Sequence, residues 1–171
     1  MQKNEVIKKA RQFCRENNID TYNVRIVDIC EKYGLSVYEA YLPKNIDGFI
    51  AVQNEEFKKF GTNKIIVVNL WNDARKRRFT IAQAFSQYYL HQSKILKKQT
   101  TYVHYCAGNR RSDYENRIFA YNILMPEYLV KEAISAYYGL CSNYQKIHCI
   151  SVLFCVSPDV AQNRLKQLHL I

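Results

Sequence analysis

Two glutamines, Gln83 and Gln87, stand four residues apart in RRFTIAQAFSQYYLH, the segment from Arg77 to His91. Positions i and i+4 of a helix share a face, so both amides can address one object. An amide is neutral and carries donors as well as acceptors, a chemistry suited to hydrogen bonding and poor for holding zinc. Further on, His104 and Cys106 are two apart, and on an extended segment they point the same way. Together with His91 they have the atom types for a metal site, but their spacing follows no known ligand pattern. His91 is better read as a helix-surface or capping residue. The run Arg75, Lys76, Arg77, Arg78 opens the same helix, where the macrodipole disfavours positive charge. It must find carboxylates, either within the chain or on an acidic partner.

The elements that position these residues follow from periodicity. NEVIKKARQFCRENN places Val6, Ile7, Ala10, Phe13 and Cys14 at helical spacing, with Asn4 as a cap, and VRIVDICEKYG is a short helix stopped by Gly34. Strands are expected at LSVYEAYL, DGFIAVQ and NKIIVVNL, the first two joined by the turn-forming PKNIDG. A long helix from about Asn72 to Lys98 presents Ile81, Ala82, Phe85, Tyr88 and Tyr89, and its Lys94, Lys97 and Lys98 suit a helix C-terminus. A second helix runs from about Ser112 to Leu124, and Pro126 starts a third. The tail reads as helix, tight turn at Cys155 to Ser157, and a last helix capped by Ser157.

With 171 residues and no linker or repeat, the chain is expected to form one domain, 1–171, with a core over 1–125 and a helical part over 126–171. No apolar run approaches the roughly 18 residues of a membrane span. The start, MQKNEVIKKARQFC, lacks a secretory signal, which points to the cytoplasm, where the six cysteines stay reduced, mainly as small core residues. A net charge of +10 favours acidic partners or nucleic acid.

At this point the chain resembles a known family. RRFTIAQAFSQYYLH is similar to the RRFTLAHELGHYLLH pattern of the ImmA/IrrE metallopeptidases, and DYENRIFAYNILMP to their E-x-E-A-N-x-F-A-x-x-L-L-M-P segment. IDGFIAV, KIIVVN and FCVSPDVAQNRLKQL also fall where that family has its internal strand, its pre-helix strand and its closing F-x-V-S-x-x-x-V-x-x-R-L. The resemblance implies an α+β, zincin-like fold: a small curved sheet of about three strands on a long former zinc-site helix, then a mainly helical C-terminal part. It also implies a zinc cofactor, held by two histidines at i and i+4 and a third ligand, with a glutamate activating water.

Carried over by position, the first histidine falls on Gln83, the glutamate base on Ala84, the second histidine on Gln87 and the third ligand on Asp113. Ala84 accepts no proton, and one carboxylate stands where three good ligands are needed. Zinc and catalysis are therefore expected to be lost. Gln83 and Gln87 are expected to reach Asp113 in a hydrogen-bonded cluster that replaces the metal, with Arg117 as counter-charge. The resemblance implies a partner too, a helix-turn-helix repressor of a mobile element or stress response, bound without being cut. Two other readings stay open. The C-terminal helices resemble a helix-turn-helix that would meet DNA through Pro158, Asp159, Gln162 and Asn163, with Gln162 and Arg164 as the positions to change. The third reading is a living zinc peptidase with diverged ligands.

Overall fold

The computed structural model describes residues 1–53, 61–97, 101–107 and 113–171. Lys98 and Ser112, named above as helix ends, lie outside them. The chain forms two compact units: Arg25–Arg117, and Met1–Val24 with Ile118–Ile171.

The first of these carries the sheet, made of β1 (Ser36–Ala40), β2 (Gly48–Val52), β3 (Lys64–Asn69) and β4 (Tyr102–Cys106) in the order β1-β3-β2-β4. The three expected strands are present, and β4 adds a fourth at the edge. β1 runs parallel to β3, whereas β2 is antiparallel to both β3 and β4. PKNIDG therefore closes no hairpin; it carries the chain across β3 to the position of β2. Buried Asn69, at the end of β3, fixes that crossing. Its Nδ2 donates to the carbonyls of Leu42, Pro43 and Ile46, and its Oδ1 accepts from the backbone N–H of Leu42.

Two helices cover this sheet, α2 (Ile26–Lys32) and α3 (Ala74–Leu96). The register puts Gly48, Ile50 and Val52 level with Val68, Ile66 and Lys64 on one side, and with Cys106, His104 and Tyr102 on the other. α3 lies on this face. A Cβ built on Gly48 would meet the Val67 carbonyl oxygen at 2.6 Å and Thr80 Cγ2 of α3 at 2.8 Å, so only glycine admits so close a helix. From Phe79 to Tyr88 every residue of α3 is buried. A helix apolar on most sides is the kind that forms only inside a core. On the opposite face Ala51, Ile65 and Val67 are buried beneath Leu42 and Phe49.

The second unit is helical. α1 (Lys3–Glu16) buries Val6, Ala10, Phe13 and Cys14, the stripe expected from the sequence. Its N-cap is Gln2 and not Asn4, because the helix begins two residues earlier and takes Asn4 inside its first turn. α4 (Tyr114–Leu124) leads by its later turns into this unit, where Phe119 packs edge-on against Phe13 at 5.6 Å between ring centres. After α5 (Glu127–Ala133) comes one π-helical turn over Ile134–Tyr138, which periodicity does not foresee. α6 (Asn143–Leu153) and α7 (Pro158–Gln167) follow, joined at Cys155 with φ of 51°. Ser157 caps α7 by accepting from the Val160 N–H, as expected. Of the cysteines, Cys14, Cys30 and Cys106 are buried, while Cys141, Cys149 and Cys155 are half-buried.

Candidate functional site

α3 brings Gln83, Ala84 and Gln87 into the covered face of the sheet. Ala84 is wholly buried, and the two amides are nearly so. The expected convergence of both glutamines on Asp113 is not what forms. Gln87 Nε2 donates to the Tyr102 hydroxyl of β4 at 2.6 Å, and its Oε1 accepts from Asn116 Nδ2 of α4 at 2.7 Å. Gln83 makes no side-chain hydrogen bond among the described residues. Asp113 turns instead to β4, its Oδ1 lying 2.9 Å from His104 Nε2. The physical reason is direction: i and i+4 differ by about 40° around a helix, enough for different neighbours to claim each amide.

Gln87 is thus the hub of a tie between α3, β4 and the first turns of α4. Tyr102 and Asn116 complete it, and His104 with Asp113 makes a separate contact between β4 and the start of α4; no motif in the sequence joins Tyr102 or Asn116 to Gln87. The signal is weak: the sequence says only that His104 and Cys106 would share a side if the segment were extended, and in β4 they do. Two acceptors of the group, Asp113 Oδ2 and Asn116 Oδ1, are buried without a hydrogen-bond partner among the described residues. Arg117 is half-buried one turn beyond Asp113.

Beside Gln87 lies a cavity of about 440 Å³, lined also by His91, Lys94, Tyr102, His104 and Glu115. His91 Nε2 is 3.6 Å from Glu115 Oε2. Burial lowers the pKa of His91; Glu115 opposes this, and Lys94 and His104 add to the lowering. The Tyr102 phenol is raised, chiefly by burial, with the bond from Gln87 acting against it. Burial also pushes the Cys106 thiol far up, helped by Asp113 and Asp47. Among the described residues no three His, Cys, Asp or Glu side chains are grouped to hold a metal ion.

The basic run at the start of α3 finds carboxylates within its own unit. Lys76 Nζ is 2.6 Å from Asp47 Oδ1, Arg77 Nε is 3.0 Å from Glu39 Oε1, and Arg77 Nη1 donates to the Asn72 carbonyl at 2.7 Å. Asp73 caps the helix by accepting from the Lys76 N–H. These acids offset the macrodipole conflict. Arg78 is half-buried and Arg75 is exposed.

The residues at the inherited ligand positions do not fit zinc. Two are neutral amides, one of them already committed on both of its polar atoms, and the carboxylate is bound to His104.

A buried helix laid across a small mixed sheet, with the inherited ligand positions on its inner side, defines a zincin-like α+β domain. The chain belongs to the peptidase family described as the IrrE N-terminal-like domain, whose profile matches residues 30–166. In fold it is similar to a Mycobacterium tuberculosis transcriptional regulator, with 18% sequence identity and a TM-score of 0.57. That similarity covers 95% of this chain and 46% of the regulator, so the chain spans about half the length of that structure. Comparison with curated proteins gives no match. No helix among the described residues is long and apolar enough to cross a membrane.

Proposed function

We propose that this chain is a catalytically inactive ImmA/IrrE-like pseudopeptidase that acts in the cytoplasm by binding another protein. The observation that carries the reading is Gln87: the residue at the second ligand position is locked by Tyr102 and Asn116, and wholly buried Ala84 replaces the general base. A site that has rebuilt its ligand residues into a hydrogen-bonded tie keeps its architecture without its chemistry. The partner proposed is a helix-turn-helix repressor of a mobile element or stress response, the substrate class implied by the ImmA/IrrE resemblance. The fold shared with a transcriptional regulator supports a role in regulation. Its net charge of +10 favours an acidic partner surface.

The DNA-binding reading loses one of the two positions at which it was to be tested. Arg164 is 3% exposed and donates to the Met125 carbonyl and to Asn122 Oδ1, so it is part of the core of its unit. To test the proposal, the full chain is mixed with each helix-turn-helix repressor found encoded near its gene, with zinc supplied. A complex by size-exclusion chromatography, with the repressor intact on a gel, is the expected result. Cleavage of the repressor, or failure to bind it, overturns the proposal.

A further inference from the structure

A second cavity, of about 380 Å³, lies wholly within the helical unit, between α1 and the beginning of α5. Its volume falls in the range of small-molecule sites, roughly 300–1,000 Å³. Cys14, Pro126 and Tyr128 line it, and the stems of Arg11, Arg15 and Lys131 add aliphatic surface. The wall is apolar and the rim is cationic.

The charges at that rim are unbalanced. Among the described residues Glu127 is the one acid in the lining, and it is already paired: Arg11 Nη2 lies 2.5 Å from Oε2, and Lys131 Nζ 2.6 Å from Oε1. The hydrogen bond from Lys131, with help from Arg11 and against burial, holds its carboxyl below the usual range. Arg15 makes no ion pair among the described residues. Behind the wall, Asn122 Oδ1 accepts from Arg164 Nη2 at 2.9 Å. Among the described residues the hydrogen-bond partners of that buried guanidinium are all neutral: Met125 O, Asn122 Oδ1 and Gln167 Oε1. Burial brings its pKa down to about 10, with Glu127 acting in the other direction. Buried charges are ordinarily paired, so a cation solvated only by amides favours an anion nearby.

We propose that this cavity binds a small amphiphilic monoanion, its apolar body against Cys14, Pro126 and Tyr128 and its carboxylate at Arg15 and Lys131. A concave apolar wall favours a compact ligand over a flat protein surface, and the excess of positive charge selects its sign. No residue of this site belongs to the inherited peptidase cluster, so it stands or falls separately from the function proposed above.

The probe is octanoate, titrated into the full chain and followed by amide chemical shifts, with octanol as its uncharged counterpart. The expected result is saturable binding with shifts centred on residues 11–15 and 126–131. Octanol and the exposed-site variants Arg15→Glu and Arg15→Gln should each weaken binding on the order of tenfold, the scale of one charge-assisted contact. Arg15→Lys should retain it. Absence of saturable binding, equal binding of octanol, or indifference to both Arg15 variants overturns the proposal. So does binding of a short Asp/Glu-rich peptide in a cavity that refuses octanoate, which would make it a docking site for protein.

Discussion

Replacing Gln87 by alanine should cost far more stability than replacing Gln83, although the two residues are chemically identical and one helical turn apart. Gln87→Ala strips the acceptor from Asn116 Nδ2, on a side chain 1% exposed, and the donor from the Tyr102 hydroxyl. A buried donor left unsatisfied costs about 1–3 kcal/mol. Tyr102 is only half-buried and lines the cavity beside Gln87, so water can replace its lost partner at little cost. Loss of the buried Gln87 stem adds about 1 kcal/mol. The total of roughly 2–4 kcal/mol corresponds to about 5–15 °C in Tm for a chain of this size. Gln83→Ala removes no described hydrogen bond and should cost under about 1 kcal/mol. Urea unfolding followed by circular dichroism measures both. A double-mutant cycle between Gln87 and Asn116 should show coupling of about 1 kcal/mol. Equal losses at the two glutamines, or strict additivity in the cycle, would refute the claim that Gln87 ties these elements together.

Three further predictions rest on separate observations. Gly48→Ala forces a Cβ to within 2.6 Å of the Val67 carbonyl oxygen, and because that atom is backbone the variant should lose about 2–3 kcal/mol in the same unfolding assay. His91 has a lowered pKa in the folded chain, so its unfolded form binds the proton more readily. Its contribution is full above the unfolded pKa of about 6.5 and shrinks as pH falls through that value, so His91→Asn should flatten the decline in stability between about pH 6.5 and 5. The triple variant Gln83→His, Gln87→His, Asp113→Glu should regain some zinc affinity, since it restores the ligand types of the family pattern on the helix that lies over the sheet. Calorimetric titration with zinc decides it, and a variant that stays metal-free would mean the cleft has closed.

The covered elements were legible because burial leaves a period in the sequence: Val6, Ala10 and Phe13 on α1, and the apolar run of β3, form what their spacing says. Pairing was not legible. β1 and β2 follow each other in the chain, yet β3 lies between them, and the device that arranges this is the side chain of Asn69, which no local pattern marks. β4 alternates exposed and half-buried positions at a sheet edge, so its hydrophobic signal is faint. At the site, the loss of ligands was readable from residue type alone. The replacement network was not, because Tyr102 and Asn116 come from other elements, 15 and 29 residues away from Gln87. Arg164 has the same lesson in reverse: a basic residue in a helix-turn-helix-like segment reads as a DNA contact until its burial is seen.

Whether the former peptidase site holds zinc decides between the pseudopeptidase and the enzyme. It is tested most directly by measuring the metal content of the full chain, purified without chelator from cells grown with added zinc. Substoichiometric zinc, unchanged by Gln87→Ala, is the result this account predicts. Stoichiometric zinc that is lost in Gln83→Ala, Gln87→Ala or Asp113→Ala would contradict it and restore the enzyme reading.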